Sequence, residues 1–128
     1  MKRSVAAAVA LLAGLGATFS PVCAQDASKG EAVFKRCRAC HAIGPAATNK
    51  AGPALTGIVG RKAASAPGFN YSEAMKQAAA GGLVWTEPKL AQYLESPDTF
   101  IPNNVMAFSG VKNPGELQDL IAFMKLHK

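Results

Sequence analysis

The chain has 128 residues, of which 49% are hydrophobic and 17% charged. That balance excludes a disordered chain and allows one domain with a packed core. Only 7% of residues are aromatic and only three are Cys, so a ring-rich core and a cysteine-dense disulfide scaffold are both excluded, while the formal charge of +6 points to an acidic partner or surface without naming one.

The first predicted element is an address rather than part of a fold. Lys2 and Arg3 precede an apolar stretch from Val5 to Phe19, Pro21 breaks it, and Val22-Cys23-Ala24 forms a cleavage site. This is the three-part pattern of a secretory signal peptide over 1–24. The apolar stretch of 15 residues falls short of the roughly 20 that a membrane anchor needs. Acylation of Cys23 would want a small residue before it, and Val22 is not small. Cleavage after Ala24 leaves residues 25–128 as one domain, takes the formal charge from +6 to +4 by removing Lys2 and Arg3, and leaves Cys37 and Cys40 as the remaining cysteines. The expected location is the periplasm.

The rest reads as short helices joined by long loops. Ser28-Lys29-Gly30-Glu31 has the capping-box spacing, so a helix is expected from about Lys29 to Ala39. Between Ala42 and Asn70 glycines and prolines are too dense for regular structure, and a loop of that length wants a ligand to wrap. Ser72 to Ala80 reads as a helix stopped by Gly81-Gly82. Thr86 caps another running to Glu95, with Pro88 in its first turn and Ser96-Pro97 ending it. Asn113 caps the last helix, with Pro114 at its first position, and Leu117, Leu120, Ile121 and Met124 form one apolar stripe. No run of residues reads as a strand. Four short helices bury too little by themselves, and a large apolar ligand at the centre would complete the core.

Cys37-Arg38-Ala39-Cys40-His41 is C-x-x-C-H. Two thiols three positions apart on a helical turn can each add to a vinyl group of one haem, and the adjacent His reaches the iron from the same side. Export fits, because c-type haem is attached outside the cytoplasm. A thioredoxin-type disulfide would want a βαβ context. A zinc site would need a fourth ligand, and His127 sits too near the tail to supply one well. A structural disulfide would leave His41 without a role.

The ligand on the other face of the iron separates carriers from enzymes. Met75 and Met124 lie in helices and read as core filler. Met106 follows Phe100-Ile101-Pro102-Asn103-Asn104-Val105, a loop with no helical period, from which a thioether can be aimed at a metal. On spacing alone Met106 stands beside His127 as a rival.

These residues resemble class I cytochrome c, the mitochondrial carrier and its bacterial periplasmic relatives. The resemblance begins at Gly30 and Phe34 and takes in Cys37 to His41, Gly52-Pro53-Ala54-Leu55, Gly60-Arg61-Lys62 and Ala66 to Tyr71. It continues through Val84-Trp85-Thr86-Glu87, Gln92-Tyr93-Leu94, Ile101-Pro102, Met106-Ala107-Phe108 and Asp119 to Phe123. It implies an all-α class I cytochrome c fold, short helices and long loops wrapped around one covalent haem c held by Cys37 and Cys40. It implies His41 and Met106 as axial ligands, Pro53 as the carbonyl that accepts the imidazole N–H, and Tyr93 as a hydrogen-bond donor to the Met sulfur. Trp85 and Tyr71 match donors to a haem propionate, and Arg61 a nearby cation. Gly30 and Phe34 should cross Leu120 and Phe123. The sequence departs from mitochondrial relatives in a turn before Cys37 shorter by one residue and in extra residues around Ala78-Ala79-Ala80. Met75 replaces a polar residue near buried water. Asp98, Thr99 and Val105 stand at lysine positions, leaving Lys35, Arg36, Arg38, Lys50 and Lys112 as the candidates to ring the haem edge.

The expected function is that of a monomeric, soluble electron carrier and not an enzyme. Its partners would be redox proteins: a membrane oxidase, a reductase, a reaction centre or a periplasmic dehydrogenase. Stable membrane insertion is not expected. Nucleic-acid binding is disfavoured, because the basic residues form no aromatic-interleaved stripe. The rival from another class is a small haem peroxidase or gas sensor with an open distal face, and a third reading is a haem domain docked permanently in a larger complex.

Overall fold

The computed structural model describes residues 25–128. The predicted signal over 1–24, with Cys23 and the cleavage site, lies outside the described residues. Five helices follow in order: α1 (Ala27–Phe34), α2 (Glu73–Ala80), α3 (Glu87–Glu95), α4 (Pro97–Phe100) and α5 (Pro114–Leu126). Among the described residues the one extended pairing is an isolated antiparallel bridge between Lys62 and Val84. The all-α expectation holds.

Thr86 and Asn113 cap their helices where the sequence placed them, and Ser72, read as the first residue of its helix, is its cap. The Ser72 hydroxyl accepts the Met75 N–H at 3.2 Å, the Thr86 hydroxyl accepts that of Lys89 at 3.4 Å, and Asn113 Oδ1 accepts those of Gly115 at 2.8 Å and Glu116 at 3.1 Å. The first helix differs. Its cap is Asp26, not Ser28: Asp26 Oδ1 accepts the backbone N–H of Ser28 at 3.0 Å and of Lys29 at 3.2 Å, and the Ser28 hydroxyl donates to it as well. A carboxylate is the stronger acceptor and its charge suits a helix N-terminus, so it captures the cap two residues early. The far end also differs from the expectation of Ala39. After Phe34 the bonds shorten to three-residue turns, Arg36 N–H to Val33 and Cys37 N–H to Phe34, and the α-helix stops. Ser96-Pro97 ends α3 as expected but also opens α4, since Pro at a first helical position gives up an N–H that has no partner there.

The core forms where α1 crosses α5. A Cβ on Gly30 would run into the Asp119 carbonyl and the Phe123 side chain, so only Gly lets these backbones approach. Phe34 and Leu120 are completely buried, and the Phe34 and Phe123 rings lie 5.3 Å apart. This is the crossing expected of Gly30 and Phe34 with Leu120 and Phe123. Asp26 N–H donates to Asp119 Oδ1 at 2.7 Å, pinning the start of α1 to α5. The long stretch from Ala42 to Asn70 holds no helix. It is fastened by backbone bonds, among them Gly57 N–H to His127 at 2.7 Å and Gly60 N–H to Trp85 at 2.8 Å. Helix α2 carries no fully buried residue. Among the described residues no helix is long and apolar enough to cross a membrane.

Candidate cofactor site

The turns that end α1 set the two thiols. The Cys37 carbonyl accepts from Cys40 N–H at 3.1 Å and from His41 N–H at 2.9 Å, so Cys37, Cys40 and His41 are wound around one backbone oxygen. Cys37 and Cys40 form no disulfide with each other, and before any attachment burial pushes the Cys37 thiol up. Among the described residues no three His, Cys, Asp or Glu side chains gather as a metal cluster, which removes support for the zinc reading.

His41 is half-buried and its Nδ1 lies 2.8 Å from the Pro53 carbonyl. A carbonyl can only accept, so Nδ1 carries the proton and Nε2 keeps its lone pair for a metal. Burial holds the imidazole pKa down, the Pro53 carbonyl opposes that, and Lys50 adds to it. Gly52 lies against the ring: a Cβ there would be 2.7 Å from Nδ1 and 2.8 Å from Nε2. The bend at Gly52-Pro53 therefore fixes the imidazole by a hydrogen bond on one side and a bare backbone on the other.

A cavity of about 350 Å³ opens above His41 and Cys37. Leu55, Ile58, Leu90, Leu94, Phe108 and Met124 supply apolar wall, and Cys40, Ala51, Val105 and Ala107, all solvent-exposed, mark its mouth. The expected site residues Cys37, Cys40, His41, Pro53, Arg61, Tyr71, Trp85, Tyr93 and Met106 all line it. His127 does not. Its ring packs edge-on against Phe123 at 4.7 Å, which takes it out of the contest for a ligand. Met75 and Met124 border the cavity too, Met124 from within the buried core and Met75 packed against it, as filler would be.

Met106 is distinguished by what surrounds it. The Tyr93 hydroxyl is 3.8 Å from its sulfur and 3.1 Å from Asn104 Oδ1. Burial, with a smaller contribution from Asp98, pushes the Tyr93 pKa up to about 12, so the phenol stays a neutral donor. Asn104 also accepts the Met106 N–H at 3.3 Å and donates to its carbonyl at 3.3 Å. Sequence reasoning missed Asn104, although paired Asn residues before Met106 in a loop without period were a signal.

At the other end Arg61 Nη1 donates to the carbonyls of Ala54 and Thr56, each at 3.1 Å, and this anchors the guanidinium in the long loop. Its Nε–H is buried without an acceptor among the described residues. Tyr71 accepts the Ala66 N–H at 3.1 Å and keeps its own O–H to donate. An orphaned buried N–H of a cation beside a free phenol at the edge of an apolar cavity calls for an anionic group on an apolar body. A haem with its propionates meets that demand, and the paired thiols and free imidazole nitrogen fit the same group.

The basic residues expected to ring the mouth are partly engaged. Arg36 pairs with Glu116 at 2.9 Å and Arg38 with Glu31 at 3.2 Å, while the Lys50 and Lys112 ammonium groups donate to the carbonyls of Arg38 and Glu95. All stay exposed, so their charge remains available at the surface.

The family model for Cytochrome c matches residues 27–128. Cytochrome c2 of Agrobacterium tumefaciens (strain II Chrys) is 54% identical over 99 residues, covering 77% of this chain and 89% of its own. Cytochrome c-550 of Ancylobacter novellus is 47% identical over 98 residues, 77% of this chain and 92% of its own. Among solved structures, cytochrome c2 from Rhodospirillum centenum superposes with a TM-score of 0.76 at 39% identity, covering 80% of this chain and 98% of that one. Cytochrome cH from Methylobacterium extorquens gives 0.72 at 38% identity, with 79% and 98% covered. With the thiol pair, the imidazole and the apolar cavity already joined in one place, the chain belongs to the cytochrome c family and is an electron carrier with one c-type haem bound covalently through Cys37 and Cys40.

Proposed function

We propose that residues 25–128 act as a soluble, monomeric periplasmic shuttle, with His41 Nε2 and Met106 Sδ as the axial ligands and no substrate chemistry of its own. The observation that carries this reading is the convergence of His41 and Met106 on one apolar cavity, His41 held at the Pro53 carbonyl and Met106 by Asn104. When bound, the haem supplies the ferrous–ferric couple. The protein's part is to hold both ligands still and to exclude water. Pro53 and Gly52 fix the imidazole plane. Leu55, Ile58, Leu90, Leu94 and Met124 keep the surroundings apolar, so little solvent must reorganise when charge changes. Tyr71 and Trp85 would donate to propionate oxygens with Arg61 as the nearby cation, a reading supported by the unpartnered Arg61 Nε–H. Partners would dock at the mouth marked by Cys40, Ala51, Val105 and Ala107, where small and apolar residues permit close approach. A membrane oxidase, a reductase, a reaction centre and a periplasmic dehydrogenase are all suitable. Lys35, Arg36, Arg38, Lys50 and Lys112 would steer an acidic face toward that mouth.

The test is Met106→Ala in the matured protein. The substitution should lower the reduction potential, abolish the weak far-red band of ferric iron on thioether sulfur, and let imidazole or cyanide bind the iron readily. An unchanged potential with no ligand uptake would remove Met106 from the site. Rapid peroxide turnover by the intact protein would favour an enzyme instead.

A further inference from the structure

The Tyr93 hydroxyl has one proton and two acceptors within reach. Asn104 Oδ1 is 3.1 Å away and Met106 Sδ is 3.8 Å away. A carboxamide oxygen is a far better acceptor than a thioether, and here it is also nearer. The orientation of the Asn104 amide is not arbitrary. The same Oδ1 receives the Met106 N–H at 3.3 Å, while Nδ2 faces two acceptors, the Met106 carbonyl at 3.3 Å and Asp98 Oδ1 at 3.4 Å. Turning the amide over would set donor against donor and acceptor against acceptor. The backbone prepares this arrangement, because Asn103 takes a left-handed φ of 61° and turns the following residue back toward the cavity.

We infer that Asn104 is a positioning residue that clamps both backbone polar groups of Met106 and takes the Tyr93 proton that would otherwise go to the Met106 sulfur. The inference rests on Met106 being the distal ligand. It has a chemical consequence. A hydrogen bond to sulfur would draw electron density from it and weaken its donation to ferric iron. By diverting that bond Asn104 leaves the thioether a fuller donor, and by clamping the backbone it keeps the sulfur from swinging away.

A double-mutant cycle on the reduction potential of the matured protein tests this, using the parent, Tyr93→Phe, Asn104→Ala and the double variant. Tyr93→Phe should move the potential little in the parent and several-fold more in the Asn104→Ala background, where the proton has passed to sulfur. Equal shifts in the two backgrounds would overturn the diversion. Displacement of the sulfur by imidazole in the ferric state, followed through the far-red band, should be roughly tenfold or more faster in Asn104→Ala, as expected from losing two backbone-directed hydrogen bonds. An unchanged rate would overturn the clamp. If Asn104→Ala does not mature, Asn104→Leu, of nearly the same volume, serves in the same cycle. The far-red band of the parent separates the two levels. Its absence would defeat Met106 as ligand, whereas its presence with an additive cycle would defeat only the role of Asn104.

Discussion

At the scale of single residues the site depends on close approach as much as on ligation. Gly52 has no side chain because His41 occupies the space where a Cβ would stand. Gly52→Ala should therefore push the imidazole off its line to the Pro53 carbonyl. The expected result is a loss of about 1–3 kcal/mol in stability to denaturant, together with a weakened ligand-field spectrum. Unaltered denaturation and spectra would show that the ring can shift freely. Gly52 was readable in the sequence only as a turn residue, since nothing in a linear pattern says what a missing Cβ would meet. The Cys37, Cys40 and His41 constellation was legible outright, because its chemistry is written in adjacent positions. Met106 stood out by its loop position, and the resemblance set it ahead of His127; Pro53, Tyr93 and Arg61 were legible only through the resemblance, and Asn104 showed only as one of a pair of Asn residues, because its contacts join a loop to a helix with no periodicity to announce them.

At the scale of elements, caps carry much of the structure. Asp26 begins α1 and ties it to α5. The hydrogen bond from the Ser28 hydroxyl, then that from the Lys29 N–H, holds its carboxyl below the ordinary value of 3.8. A depressed folded pKa means a contribution present above the unfolded value and lost as pH falls through the lower folded one. Denaturant midpoints measured from about pH 5 to pH 2 should therefore fall less steeply for Asp26→Asn, which keeps an acceptor but has no charge to lose. Identical acid limbs would show that the charge is fully screened at this exposed position. The starts of α3 and α5 were legible because one capping side chain, Thr86 or Asn113, stood before each pattern, and α2 was placed to within one residue of its Ser72 cap. The start of α1 was not, because Asp26 and Ser28 both qualify and only acceptor strength decides between them. The four residues of α4 are too few to show any period, so Ser96-Pro97 read only as an end.

For the whole molecule, the short helices surround a cavity of about 350 Å³ with apolar walls. Those walls face water unless something fills them, and burying them is worth roughly 25 cal/mol per Å² of apolar surface. The Cys37→Ser, Cys40→Ser double variant, exported without covalent haem, should keep part of its far-ultraviolet helix signal, lose its near-ultraviolet signal and bind a hydrophobic dye. A sharp, cooperative unfolding transition in that variant would show that the core stands alone. The need for a central filler was legible in the sequence from the sparse helices and the loop-rich stretch before Asn70, whereas the cavity's shape was not, since it arises from contacts between distant segments. One consequence follows from α2. This alanine-rich helix contributes Met75 and Ser72 to the cavity wall yet buries no residue completely, and the Gly30–Asp119 crossing lies elsewhere. Side-chain changes on its exposed face, at Lys76, Gln77 and Ala80, should therefore cost little in stability. That leaves the outer face of α2 open to new charge or polarity without touching the segments that carry His41 and Met106.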